Sequence, residues 1–157
     1  MEYSYQFTHA IVRKPAESIN NGLRAVDIGK PNYDQMMLDH SDYVDALISA
    51  GAQIIELSPL EKYPDAQFVE DTALCLPEGV ILMRPGAPSR LGEVDEIAPK
   101  LRDLFKKVYK IDEPGHVEGG DILVTGKEIL IGRSARTDKS GVSQLSKIIT
   151  SMGYVLK

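Results

Sequence analysis

The sequence predicts an α/β protein assembled from a repeated strand-strand-helix-strand (ββαβ) unit, and three observations carry that prediction. Gln67 to Arg90, QFVEDTALCLPEGVILMRPGAPSR, and Gly115 to Arg136, GHVEGGDILVTGKEILIGRSAR, follow one plan: Val-Glu, an apolar run, a turn, a second apolar run and an exit ending in arginine. Each is followed by a segment of helical period that leads into a further apolar run. The pairs Val69-Glu70 and Val117-Glu118 stand about 48 residues apart, a spacing at which self-similarity signals modules that bury one another's exposed faces.

The elements follow in order. A β-rich run predicts a strand at 7–13 (FTHAIVR), a helix near 32–50 follows Pro31, and QIIEL predicts a strand at 53–57 after Gly51. Residues 71–76 (DTALCL) and 79–84 (GVILMR) form a hairpin across Pro77-Glu78, and 121–125 with 128–132 form another across Gly126-Lys127. Val94, Ile97, Ala98, Leu101, Leu104 and Phe105 share one face of a helix at 94–107, and Val142, Leu145, Ile148, Ile149 and Met152 share one at 140–152. Strands at 108–111 and from Tyr154 close the units, with Gly153 as the stop of the last helix. The modules are expected at about 1–65, 66–114 and 115–157, in a single domain.

Composition narrows the function classes. With 157 residues, 43% of them hydrophobic and 26% charged, the chain can bury a sizeable core. A net charge of −5 argues against a nucleic-acid partner, whose binding rests on Lys and Arg neutralising phosphates. No apolar stretch approaches the roughly 18 residues of a membrane span, and MEYSYQFTHAIVRK lacks the regions of a signal peptide, so a cytoplasmic location is expected. The single cysteine, Cys75, between Leu74 and Leu76, is expected to be packed and inert. His9 and His40 read as structural, and no Cys/His cluster has the spacing of a zinc site.

Residues before the first strand and after the second lie at one end of a hairpin. Asp65, Glu70 and Asp71 should therefore gather with Arg90, and Glu118 and Asp121 with Arg136. Two readings stand at this point: ion pairs on the surface, and a central polar site. In favour of the second, His116-Val-Glu-Gly-Gly-Asp121 places two glycines where a ligand or another backbone approaches closely. Carboxylates in one zone and arginines in another suit a ligand that is a guanidinium at one end and a carboxylate at the other.

The segments FVEDTAL, LMRPGAPSR, VEGGDIL and IGRSARTD, in that order along nearly the whole chain, resemble the dimethylarginine dimethylaminohydrolase family. That family belongs to the guanidine-modifying pentein superfamily of five-bladed α/β-propellers, of which about three modules would be present. The resemblance implies hydrolysis of a methylated arginine to citrulline and a methylamine by a Cys/His/Glu mechanism without cofactor or metal. It makes Glu118 the acidic catalytic partner. Asp71 and Glu70 would accept from the guanidinium, Phe68 would wall it, Arg90 and Arg136 would hold the carboxylate, and Leu23 and Asp65 would line the pocket.

The family's catalytic histidine follows its third helix and its cysteine lies near its C-terminus; neither has a counterpart here, and neither Cys75 nor His116 fits those positions. The chain alone is therefore expected to be inactive and to need C-terminal modules as partners, with a homodimer left open. Arginine deiminase, amidinotransferase and a non-catalytic module binding arginine derivatives are the alternatives.

Overall fold

The computed structural model describes residues 7–126 and 128–157. The reading of the first six residues and the turn position Lys127 lie outside the described residues. Two compact units emerge, one over Phe7–Val69 and one over Glu70–Lys157.

In the first unit, β1 (His9–Arg13) pairs in parallel with β2 (Gln53–Leu57), Ile11 opposite Ile55, and α1 (Tyr33–Ser49) makes the crossover. Asn32 caps α1 by accepting from the Gln35 amide at 3.0 Å. Gly51, at φ +93°, turns the chain from α1 toward β2, a conformation that a side chain would strain. Among the described residues a single strand precedes α1, so this unit is one strand short of the repeated plan.

The second unit carries the full plan twice. β3 (Ala73–Leu76) and β4 (Gly79–Leu82) form the first hairpin, α2 (Glu93–Leu104) follows, and β5 (Val108–Lys110) returns parallel to β4. β6 (Ile122–Thr125), β7 (Glu128–Ile131), α3 (Lys139–Ser151) and β8 (Val155–Leu156) repeat it. The chain is thus a mixed α/β protein with three separate sheets among the described residues.

The predicted helix faces are the buried ones. Ile97, Ala98 and Leu101 are buried on α2, whereas Leu104 is exposed and Phe105 falls beyond the helix. Leu145 and Ile149 of α3 are fully buried in one cluster with Leu76, Ile81 and Met83 of the first hairpin and Ile129 of the second. At about 25 cal/mol per Å² of apolar surface, this shared core is the main force holding the two hairpins.

Two strand starts differ from expectation. Asp71 and Asp121 each end a 3-10 turn (Val69–Asp71, Gly119–Asp121) and stand outside the ladders, because their carboxylates bind groups of neighbouring loops. Cys75 also departs from its expected place: strand alternation buries Leu76 and leaves Cys75 exposed. Its thiol is nonetheless pushed up to about 11 by the surrounding protein bulk. No helix among the described residues is long and apolar enough to cross a membrane.

Candidate functional site

The site assembles from the loops at one end of the two hairpins in the second unit. Glu70 and Asp71 enter β3, Arg90 ends the 3-10 turn Pro88–Arg90 after β4, Glu118 precedes β6, and Arg136 follows β7. Close backbone approach makes this convergence feasible. A Cβ on Gly119 would fall on the carbonyl oxygen of Glu70, and one on Gly86 would lie 2.6 Å from the Arg136 Cα. Gly119 of the Val-Glu-Gly-Gly segment therefore admits a neighbouring backbone, and Gly120 lies against the Asp71 carboxylate.

Acids and arginines interleave here instead of occupying two zones. Arg90 is 5% exposed. Its Nε donates to both carboxylate oxygens of Glu93 at 3.1 Å, and its Nη2 donates to Glu93 Oε2 at 2.8 Å. Its Nη1 donates to Asp71 Oδ2 at 2.5 Å and lies 3.6 Å from Glu118 Oε1. Asp71 Oδ1 accepts from the Gly120 amide at 3.0 Å, and Arg136 Nε pairs with Glu118 Oε2. Charges withdrawn from water demand partners at this range, which is why they alternate.

Glu118 is 1% exposed, and its Oε1 has no hydrogen-bond partner. Burial, followed by the charge of Asp71, raises its carboxyl above the ordinary 4.5, against the pull of Arg136 and Arg90. Burial also raises Glu70, an otherwise exposed residue whose carboxyl is crowded by protein. For Arg90, burial opposes the charge, but Glu93 and Asp71 outweigh it and hold the guanidinium more firmly protonated than usual. Arg136 differs, with a side chain 56% exposed.

Glu118 is held from behind by residues that the repeat pattern leaves unmarked. Thr137, 1% exposed, accepts from the Glu118 amide at 3.1 Å and donates to Asp121 Oδ2 at 2.6 Å. Ser134 donates to the same oxygen at 2.7 Å. His116 is also tied down, its Nδ1 3.1 Å from Asp138 Oδ2 and its Nε2 against Arg84. Glu93 has one sequence signal: it follows Arg90 by three residues at a helix start, a spacing that pairs side chains. Thr137 has none, because its partners lie on another loop.

The remaining candidates belong to the first unit. Asp65, 8% exposed, accepts from the Leu23 amide at 3.1 and 3.2 Å. A Cβ on Gly22 would crowd Asp65 Oδ1 at 2.7 Å, so glycine there permits this contact. Leu23 and Phe68 are exposed at 57% and 44%, and the Phe68 amide donates to the Asp65 carbonyl at 3.0 Å.

Comparison with known proteins adds context to this geometry. Residues 58–155 match the family model described as arginine deiminase. The chain is 40% identical over 148 residues to the N(G),N(G)-dimethylarginine dimethylaminohydrolase of Pseudomonas aeruginosa, a match covering 94% of this chain and 58% of the relative. The protein of that name from Streptomyces coelicolor is 33% identical over 145 residues, covering 92% and 56%. A crystal structure of the Pseudomonas aeruginosa enzyme in complex with citrulline superposes with a TM-score of 0.95 at 39% identity, covering 98% of this chain and 60% of the other. The N-terminal domain of a cyanobacterial arginine dihydrolase, at 17% identity and a TM-score of 0.78, shares the fold. The chain thus spans somewhat over half the length of the curated relatives it matches.

Proposed function

The chain belongs to the arginine deiminase family, and from that premise we propose that it forms a guanidinium-binding part of a hydrolase that converts dimethylarginine to citrulline and dimethylamine. The observation that carries this reading is the buried Glu118 Oε1, an acceptor without a donor, set in a cluster with more carboxylates than guanidinium groups. A planar cationic donor satisfies such an oxygen, and an unsatisfied buried acceptor costs about 1–3 kcal/mol.

In this reading Asp71 and Glu118 face the ligand guanidinium, with Glu70 beside them. Arg136, the exposed arginine, takes the ligand carboxylate, and Arg90 supports that end while ordering the acids around it. Glu118 also serves the chemical step by favouring the protonated form of the group that releases the amine. Leu23, Asp65 and Phe68 are proposed as further substrate-binding residues, and modules beyond these residues and a second copy of the chain are proposed partners. No cofactor is called for, and the working location proposed is the cytoplasm. Cys75 is not assigned as nucleophile: a thiol held at about 11 supplies little thiolate near neutrality. The 157 residues by themselves are accordingly proposed to release no citrulline.

The test is calorimetric titration with N(G),N(G)-dimethyl-L-arginine. Glu118→Gln should weaken binding by about 1.5–3 kcal/mol, the worth of a hydrogen bond to a charged group. Unchanged affinity in that variant removes the guanidinium site. The arginine deiminase family match favours a second substrate reading, unmethylated L-arginine, and titrating both ligands ranks the two.

A further inference from the structure

Glu93 is the most committed acid of the cluster and is given no role of its own in the reading above. It stands in the first turn of α2, is 2% exposed, and grips Arg90 through both carboxylate oxygens. Its grip fixes the guanidinium plane so that Nη1 turns toward Asp71, at 2.5 Å, and Glu118, at 3.6 Å.

Charge bookkeeping around Arg90 shows the consequence. Glu93, Asp71 and Glu118 all lie within ion-pair reach of Arg90, and Arg136 pairs with Glu118 from the exposed side. With Glu93 present, and Glu70 close by, carboxylates outnumber the two guanidinium groups. Loss of the Glu93 charge shifts that balance by one unit toward the arginines and weakens the pull on a cation.

We propose that Glu93 is a positioning residue that sets the charge preference of the site: by neutralising and orienting Arg90, it preserves the net negative charge with which Asp71 and Glu118 select a cationic guanidinium over a neutral ureido group. This rests on the guanidinium-binding reading above and adds to it a specificity residue acting through Arg90. A purely structural role for Glu93, as a buried partner that steadies the start of α2, makes a different prediction. It weakens every ligand alike.

L-arginine and L-citrulline share their amino-acid end and differ in the charge of the distal group, so their ratio of affinities reads the preference directly. Both are titrated by calorimetry into the unsubstituted protein, Glu93→Gln and Glu93→Asp, with folding checked by circular dichroism. Glu93→Gln should weaken L-arginine about tenfold more than L-citrulline, the scale of losing one partly screened charge at close range. Glu93→Asp, which keeps the charge, should hold the ratio within about twofold of the unsubstituted protein, whatever happens to both affinities. If Glu93→Gln does not fold, Glu93→Ala, where water can refill the space, serves as the neutral variant. Equal losses for both ligands in the neutral variant, or the same altered ratio in Glu93→Asp, overturn the assignment and leave the site reading standing. Binding of neither ligand by the unsubstituted protein overturns both together.

Discussion

Glu118 shows how one buried side chain couples its protonation to stability. Burial and Asp71 raise its carboxyl above 4.5, so the folded chain holds that proton more tightly than the unfolded chain. For such a group the stabilising contribution is fully present below the unfolded value and is lost as pH rises through the folded one. Glu118→Gln, which never ionises, should therefore gain stability relative to the unsubstituted protein as pH climbs from about 4.5 toward neutrality. Urea midpoints of both proteins across that range check it; the opposite trend would mean that the arginines outweigh burial. Cys75 gives a second residue-scale expectation. Its thiol, exposed but held at about 11, should alkylate slowly at pH 8, with a rate still rising between pH 9 and 10. A rate that levels off below pH 9 contradicts this placement. On the proposed reading, replacement of Arg136, the exposed fork, by alanine should weaken dimethylarginine binding by about 1.5–3 kcal/mol in calorimetric titration.

At the scale of elements, the loops between strands and helices are held by side chains more than by backbone ladders. Asp138 caps α3 by accepting from the Gly141 amide at 2.7 Å, and that bond, then His116, keeps its carboxyl below the ordinary 3.8. Asp138→Ala should cost about 1 kcal/mol, the usual worth of such a cap, measured as a fall in urea midpoint at neutral pH. Because the folded value is depressed, the deficit should shrink as pH falls through it. Thr137→Val tests the other loop contact. It keeps the volume but strips the Glu118 amide of its acceptor, at a cost of about 1–3 kcal/mol. The two 3-10 turns ending in Asp71 and Asp121 explain why strands expected to begin at those residues begin later: each aspartate is occupied by a loop partner.

Across the larger unit, residues 70–157, one core serves both hairpins. Leu145 of α3 is fully buried among Leu76, Ile81 and Met83 from one hairpin and Ile129 from the other. Leu145→Ala should destabilise this unit by about 2–5 kcal/mol, as large-to-small changes in packed cores do. Amide hydrogen exchange should then rise in β4 and β7 together. Acceleration confined to β7 would show that the hairpins unfold independently.

The sequence by itself determined the repeat, the order of strands and helices, and the buried faces of α2 and α3, because those follow from periods of two and 3.6 residues that any local window records. It also marked Glu118, Asp71, Arg90 and Arg136 as a group, since hairpin geometry brings the ends of the strands together. Only the tertiary structure decided how the group is wired. That Glu93 grips Arg90 through two oxygens, that Thr137 supports Glu118, and that Gly119 admits the backbone of Glu70 depend on loops that meet across the fold. The placement of Cys75 also turned on packing, because an apolar run records composition but not which of its alternating side chains is covered. Local periodicity is written residue by residue, whereas the partner of a buried charge is chosen by whatever the fold leaves within about 3 Å of it.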